Sequence, residues 1–86
     1  MTKDYVVIAK IANDLQDASD ELSEIMELFR PNIGVDEDEF KWRMAHLYSH
    51  LNVAWNVRNL SFEELNSADG KQIDLWKEFP KDLEPM

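Results

Sequence analysis

The segment IAKIANDLQDASDELSEIMELF, residues 8–29, decides the fold of this chain. Its apolar residues recur at alternating spacings of three and four: Ile8, Ile11, Leu15, Ala18, Leu22, Ile25 and Phe29. Such spacing is typical of an amphipathic helix with one apolar seam. No glycine or proline interrupts the pattern before Pro31, whose ring cannot continue a helix. The sequence therefore predicts a first helix over residues 3–30 that buries this seam.

A second long helix is predicted over residues 36–59. Asp36, with Glu39 three residues later, forms a capping-box pattern at its start. Only residues 31–35 connect the two helices, and so short a link makes two long helices antiparallel neighbours. Apolar side chains spread over a wider arc of the second helix than one partner can cover. We therefore expect the C-terminal segment, a second copy of the chain, or both to cover the rest.

Two short helices are predicted after the hairpin, over residues 62–67 and 70–79, followed by a C-terminal tail over residues 80–86. Capping-box patterns mark the two helix starts: Ser61 with Glu64, and Asp69 with Gln72. These elements predict a single all-α domain over residues 1–86, a long antiparallel helical hairpin with short helices packed across it. The arrangement is similar to a three-helix bundle, or to a larger bundle that a dimer completes.

Composition and charge exclude several classes of function. Eighteen acidic and nine basic residues give the 86-residue chain a formal net charge of −9, which disfavours binding to nucleic acids and to anionic membranes. The chain has no cysteine, so disulfide bonds and thiol chemistry are excluded. The apolar run from Val6 to Ala9 is too short for a signal-peptide core or a membrane span. The sequence therefore predicts a cytoplasmic protein without nucleic-acid or membrane partners.

Neither catalysis nor a cofactor is predicted. No nucleophile stands with a recognisable base and orienting group, and two glycines are too few for a phosphate-binding loop. Because the chain is small and its apolar surface is broad, the leading hypothesis is a non-enzymatic protein-interaction module that forms a homodimer. Aromatic residues of the second helix and the C-terminal segment form its candidate interaction surface: Trp42, Tyr48, Trp55, Trp76 and Phe79.

An acidic stripe on the first helix supports a second hypothesis. Asp14, Asp17, Glu21 and Glu24 share one helical face. Such a stripe can dock onto a partner with a basic surface, and so inhibit or regulate a nucleic-acid-binding protein. The simpler interpretation is a solvated helix face, since runs of charge usually serve solubility.

A third hypothesis is a metal site. His46 and His50 lie one helical turn apart, at a spacing that places two imidazoles on one ion. In a hairpin folded about residues 33 and 34, Glu21 is expected opposite His46, and Asp17 opposite His50. However, no glutamate follows His46, and none precedes either histidine by three residues, so the metalloprotease and di-iron patterns are absent. No metal is therefore favoured, and the simpler interpretation is two boundary histidines hydrogen-bonded to the first helix or to solvent.

The second helix also carries a polar ladder at three- and four-residue steps, formed by Ser49, Asn52, Asn56 and Asn59. Asparagine is a poor helix former, so this density costs helix stability and requires compensation. Two sources of compensation are open at this point. One is side-chain hydrogen bonding to the C-terminal segment, and the other is a polar strip that sets the register of a dimer.

Overall fold

The computed structural model describes residues 1–31 and 34–86, and all regular structure in these ranges is helical. Asn32 and Ile33, part of the predicted connection, lie outside the described residues. The helices in order are α1 (Tyr5–Glu27), α2 (Glu37–Asn56), α3 (Phe62–Asn66) and α4 (Gly70–Trp76). α1 packs along α2 as a hairpin, α3 contacts α1, and α4 contacts α2. The predicted all-α helical hairpin is confirmed.

The start of α1 is set by Asp4. Its carboxylate accepts a hydrogen bond from the backbone N–H of Val6 at 3.2 Å, so the helix begins two residues later than predicted. The second oxygen of the same carboxylate accepts from the N–H of Phe62 at 2.7 Å. One side chain therefore caps α1 and also ties the start of α3 to it.

The other helix starts follow their predicted caps, with one exception. Asp36 accepts from the N–H of Asp38 at 3.0 Å and caps α2. Glu39 does not complete a capping box, because its carboxylate accepts from Arg43 Nε at 3.2 Å instead; that half of the prediction is wrong. Both predicted boxes of the short helices are confirmed: Ser61 with Glu64, and Asp69 with Gln72.

The predicted ends of α1, α2 and α4 are each three residues too long, and that of α3 is one residue too long. Beyond Asn56 and Trp76 the backbone continues in tighter turns, in which an N–H bonds to the carbonyl three residues earlier. Turns of this kind satisfy the last carbonyls of a helix without extending it.

The apolar core of the hairpin is small. Its buried members are Val7, Ala18, Ile25, Leu47, Val53, Ala54 and Val57. Ala18, Ile25 and Leu47 form one cluster, with Phe40 and Met44 packed against it. A core of this size gives a chain of 86 residues only modest stability.

The face of α1 that the hairpin buries differs from the predicted seam. Its buried positions are Val7, Asp14, Ala18, Glu21 and Ile25. Ile8, Leu15 and Leu22 belong to the predicted seam, yet they remain 42%, 48% and 47% exposed. The prediction is therefore wrong at every second position of the seam. The physical reason is that α2 presents basic and imidazole side chains here, which pair with Asp14 and Glu21 and offset part of the cost of burying them.

Two members of the predicted polar ladder, Asn52 and Asn56, hold the C-terminal segment. Ser49 instead donates to the carbonyl of Ala45, and Asn59 lies beyond the end of α2. Asn52 Nδ2 donates to the carbonyl of Lys77 at 2.8 Å. Asn56 Nδ2 donates to the carbonyls of Trp76 and Glu78 at 2.8 and 3.0 Å. These carbonyls lie at the end of α4, and the last carbonyls of a helix have no backbone N–H partner within that helix. Of the two sources of compensation open from the sequence, hydrogen bonding to the C-terminal segment is confirmed.

The tail is fastened to the end of α2 by Asp82. Trp55 Nε1 donates to one carboxylate oxygen and Arg58 to the other, each at 2.9 Å. The guanidinium of Arg58 also lies 3.8 Å from the centre of the Trp55 ring. The hydrogen bond from Trp55, followed by that from Arg58, holds the pKa of Asp82 below its ordinary value of 3.8.

Acidification should release this anchor only at low pH. Because the pKa of Asp82 is lower in the folded chain, its carboxylate contributes stability that is fully present above pH 3.8 and is lost as pH falls through the folded pKa. In a two-dimensional ¹H–¹⁵N NMR titration, the Trp55 indole resonance should hold its position down to about pH 4 and move below it. Asp82→Ala should shift that resonance at neutral pH, whereas Asp74→Ala, at an exposed position of α4, should not. A Trp55 resonance that already moves well above pH 4 would contradict this assignment.

Candidate functional site

Two histidines of α2 face two buried carboxylates of α1 across the hairpin. His46 Nδ1 lies 3.2 Å from Glu21 Oε2, and His50 Nδ1 lies 3.1 Å from Asp14 Oδ1. The two imidazole rings are also neighbours, with their centroids 4.8 Å apart. These four residues form the histidine–carboxylate cluster.

The two carboxylates of the cluster are only 4% (Asp14) and 8% (Glu21) exposed. A buried carboxylate is costly unless charges and donors surround it. Lys10 Nζ lies 3.0 Å from Asp14 Oδ2, so this oxygen is neutralised although the geometry is not that of a hydrogen bond. Arg43 approaches Glu21 Oε1 only to 3.6 Å, beyond hydrogen-bonding distance. Glu21 Oε1 is therefore a buried oxygen without a donor among the described residues.

Arg43 divides its guanidinium among several carboxylates. It lies 2.8 Å from Glu24 Oε2 and 3.2 Å from Glu39 Oε1, both closer than Glu21. Hydrogen bonds to Glu39 and then Glu24 hold the pKa of Arg43 above its ordinary value. Arg43 is therefore always charged, but it pairs more closely with the exposed carboxylates of Glu24 and Glu39 than with Glu21.

The carboxylates determine which nitrogen of each imidazole carries the proton. An ionised carboxylate only accepts hydrogen bonds, so Nδ1 of His46 and Nδ1 of His50 are the donors. In a neutral imidazole Nε2 then carries the lone pair. Among residues 1–31 and 34–86, neither Nε2 atom has a hydrogen-bond partner, since both histidines bond only through Nδ1. Two free acceptor nitrogens therefore belong to residues one helical turn apart.

The predicted pairing of Glu21 with His46 is confirmed, whereas His50 is closer to Asp14 than to Asp17. Asp17 Oδ2 lies 3.9 Å from His50 Nδ1, so Asp17 is a secondary neighbour. Ligand-type atoms of Asp14, Asp17 and His50 all lie within 4.8 Å of one another. The sequence pattern did not single out Asp14 as a histidine partner. Its seven-residue distance from Glu21, which places the two on one helical face, was the available signal.

The predicted acidic stripe is not one exposed surface. Asp17 and Glu24 are exposed, but Asp14 and Glu21 are buried, so the stripe is wrong as a continuous solvent-facing feature. The reason is again the pairing across the hairpin, which turns alternate members of the stripe toward α2.

The predicted aromatic surface separates into three places. Tyr48 meets Phe79 with ring centroids 5.2 Å apart, and Trp55 lines the same apolar pocket of about 410 Å³ between α2 and the tail. Trp76 lines a different cavity. Trp42 is exposed beside the histidine–carboxylate cluster. A binding role for these five residues stays a prediction.

A cavity of about 470 Å³ lies beside the cluster, between the α1–α2 hairpin and the short helices. Its polar lining includes Asp14, His46, His50 and the two lysines Lys10 and Lys77, while Val53 and Trp76 contribute apolar walls. Its volume falls in the range of small-molecule sites. The histidines therefore face a space with room for water or a small ligand.

The chain is thus an all-α helical hairpin with a histidine–carboxylate cluster across its interface. Comparison of the chain with family models, curated proteins and solved structures found no match. In the part of the chain that the structure describes, no helix has the length and apolar character to cross a membrane. Function is therefore inferred from the surfaces and the site of this chain.

Proposed function

We propose that this protein is a non-enzymatic, cytoplasmic protein-interaction module that works as a homodimer. A second apolar seam on α1, left open by the hairpin, carries the proposal. It consists of six exposed positions: Ile8, Ala12, Leu15, Ser19, Leu22 and Met26. We call it the exposed seam.

The exposed seam has the spacing of a helix–helix interface. Its positions alternate by four and three residues, as the a and d positions of helical bundles do. Ile8, Leu15 and Leu22 recur every seven residues, and the small residues Ala12 and Ser19 stand between them. An alternation of large and small side chains allows a second helix to approach closely and interdigitate.

Charge is segregated away from the exposed seam. None of its six residues is charged, although the chain carries a net charge of −9. The charged residues Lys10, Asp17 and Glu24 recur at the same seven-residue interval on the opposite flank of α1. A solvent-facing flank is normally rich in charged residues. The uncharged flank is therefore better suited to an apolar partner than to water.

α2 extends the apolar surface beside the exposed seam. His46 and His50 lie toward the charged flank of α1, where they meet its carboxylates. On a helix, Met44 and Leu51 lie on the other side of Leu47, so they fall beside the exposed seam. Leu51 is 39% exposed and also lines the pocket between α2 and the tail. Both helices of the hairpin thus contribute to one apolar face.

A second copy of the chain is the occupant that fits this face. The hairpin face is about 30 Å long and about 20 Å across, and it leaves roughly 400–600 Å² of apolar surface, the size of the largest patches on monomers. Stable dimers bury about 800 Å² per partner, so the polar residues that flank this face would also have to join the contact. A heptad-spaced seam is self-complementary about a two-fold axis, and two hairpins packed face to face make a four-helix bundle.

The acidic-regulator hypothesis has less support. Only Asp17 and Glu24 of the predicted stripe are exposed, and Glu24 is already engaged by Arg43 at 2.8 Å. A basic partner would therefore meet fewer free carboxylates than the sequence predicts.

Light-scattering mass on a sizing column tests the homodimer. We expect twice the chain mass of 10.1 kDa, with and without EDTA. The double substitution Leu15→Lys with Leu22→Lys should raise the dimer dissociation constant roughly 100-fold, because four leucines per dimer each lose about 0.7 kcal/mol of burial.

A matched control is available on the same helix. Asn13→Lys with Gln16→Lys adds the same charge at exposed positions outside the exposed seam, and this variant should remain dimeric. The homodimer proposal is wrong if the wild-type chain stays monomeric at high micromolar concentration. An equal response of the two double variants would also contradict it, since that would assign the effect to net charge alone.

A further inference from the structure

The free imidazole nitrogens of α2 are a feature that the homodimer does not use. We propose that His46 and His50 bind one divalent transition-metal ion through their Nε2 atoms, with Glu21 and Asp14 as positioning residues. The site lies within one chain, at the edge of the cavity of about 470 Å³ that both histidines line.

The spacing of the two histidines suits a shared ion. They are four residues apart on α2, and their ring centroids are 4.8 Å apart. Two imidazoles at this spacing on a helix can reach one ion, since each metal–nitrogen bond is about 2.0–2.1 Å long. Neutral imidazole is a preferred ligand of Zn²⁺, Ni²⁺ and Cu²⁺.

The buried carboxylates prepare both rings for this role. Histidines that bind metals usually donate their second N–H to a carboxylate, which fixes the tautomer and the ring orientation. Glu21 does this for His46, and Asp14 does it for His50. This arrangement also gives a reason for two carboxylates in a seam that the hairpin otherwise fills with apolar residues.

Charges of both signs surround the site, and the buried carboxylates behind the two rings are the part that favours a cation. Among the described residues Glu21 Oε1 is buried without a donor, and Lys10 and Lys77 line the same cavity as the two histidines. A metal ion on Nε2 makes the Nδ1–H more acidic, so it strengthens the hydrogen bond to the carboxylate behind it. Metal binding would therefore stabilise a buried charge that the chain alone pairs incompletely.

The opposite side of His50 is the competing position for an ion. There, Asp14, Asp17 and Nδ1 of His50 bring ligand-type atoms within 4.8 Å of one another. An ion in that place has to break the 3.1 Å hydrogen bond between His50 and Asp14, and it has to repel Lys10 from Asp14. Binding at Nε2 leaves both contacts intact, so Nε2 is favoured.

The proposed site has open coordination positions. Two imidazoles satisfy half of a tetrahedral shell, and the rest is left to water or to a ligand in the cavity. Ser49, Trp76, Lys10 and Lys77 also line that cavity, so a ligand there would meet a hydroxyl, an aromatic wall and two ammonium groups.

Calorimetric titration of the full chain with Zn²⁺ and with Ni²⁺ is the test. We expect one ion per chain and a metal-dependent rise in Tm. Mg²⁺ prefers oxygen ligands and should produce neither effect. His46→Ala and His50→Ala should each abolish measurable binding, whereas Asp17→Asn should leave the affinity unchanged. Circular dichroism without metal separates loss of binding from loss of folding, and the more exposed His46 provides a second variant in case His50→Ala does not fold.

The positioning residues have their own readout. Asp14→Asn and Glu21→Gln keep the shape of the side chain but remove its charge, and each should weaken metal binding roughly 10–100-fold. Long-range ¹H–¹⁵N NMR of the imidazoles should show the Nδ1–H tautomer at both histidines of the metal-free chain. On addition of Zn²⁺ the Nε2 resonances should shift.

Three results would each overturn the proposal. They are no saturable binding of Zn²⁺ or Ni²⁺, an equal response to Mg²⁺, and loss of binding in Asp17→Asn, which would move the ion to the Nδ1 side. The mass of the dimer is measured separately, with EDTA present, so failure of the metal site and failure of the homodimer are distinguishable.

Discussion

Asn56→Asp is expected to lower the free energy of unfolding by about 3 kcal/mol. Asn56 Nδ2 donates to the carbonyls of Trp76 and Glu78 at 2.8 and 3.0 Å. An aspartate has no N–H to donate, so two hydrogen bonds of about 1 kcal/mol each are lost. The carboxylate also faces two carbonyl oxygens, and this repulsion adds to the loss.

The damage should concentrate in the C-terminal segment. Asn52 and Asn56 together bind three successive carbonyls at the end of α4, so removing the Asn56 donor loosens α4 and the tail from α2. Urea denaturation measures the total loss, and hydrogen exchange at the backbone N–H of Lys77 and Glu78 shows where it falls. Asn59→Asp makes the same change at an exposed position and should stay within about 0.5 kcal/mol of wild type. Equal losses at the two positions would mean that added charge, and not the lost donor, is responsible.

Glu21→Leu is expected to act in the opposite direction and to stabilise the chain by about 1–2 kcal/mol, a rise in Tm of roughly 4–8 °C per kcal/mol. Glu21 is 8% exposed and its Oε1 has no donor within the ranges 1–31 and 34–86, so its burial is incompletely compensated. Removing the Glu21 carboxylate leaves neither His46 nor Arg43 without a hydrogen-bond partner. His46 is half exposed and can bond to water, and Arg43 keeps Glu24 and Glu39.

Thermal unfolding followed by circular dichroism checks this increase. Glu24→Leu is the matched control, because it removes a carboxylate that also contacts Arg43 but is exposed. It should not raise Tm. A lower Tm in Glu21→Leu would show that the pairs with His46 and Arg43 outweigh the cost of burial. A higher Tm together with weaker Zn²⁺ binding would show that the chain keeps Glu21 for a site at a cost in stability.

Features that depend on neighbours along the chain were predictable from the sequence. The capping boxes at Ser61 and Asp69 involve a side chain and a backbone N–H three residues apart, so both partners lie within one short segment. The Glu39 half of the third box failed because Arg43 offered a charged partner, which a neutral backbone N–H does not match.

Features that depend on distant partners were predictable only as alternatives. The spacing of Asn52 and Asn56 showed that their amides need partners, but those partners lie at the end of α4, at least twenty residues further along the chain. Likewise, the antiparallel register was enough to place Glu21 opposite His46. Whether Asp14 or Asp17 lies closer to His50 depended on the rotation of α1 about its axis.

The rotation of α1 about its axis could not be predicted from the sequence and required the folded structure. Composition and periodicity were enough for an acidic, all-α hairpin with capped helices, because apolar spacing and caps act within a few residues. They were not enough to choose between two overlapping seams of α1, one containing Asp14 and Glu21 and the other Leu15 and Leu22. Packing resolved this choice, since α2 presents imidazole and guanidinium groups that pair with the carboxylates and turn them inward. Leu15 and Leu22 therefore face outward. A side chain is buried only by contact with another element, and the sequence of α1 alone does not specify such a contact.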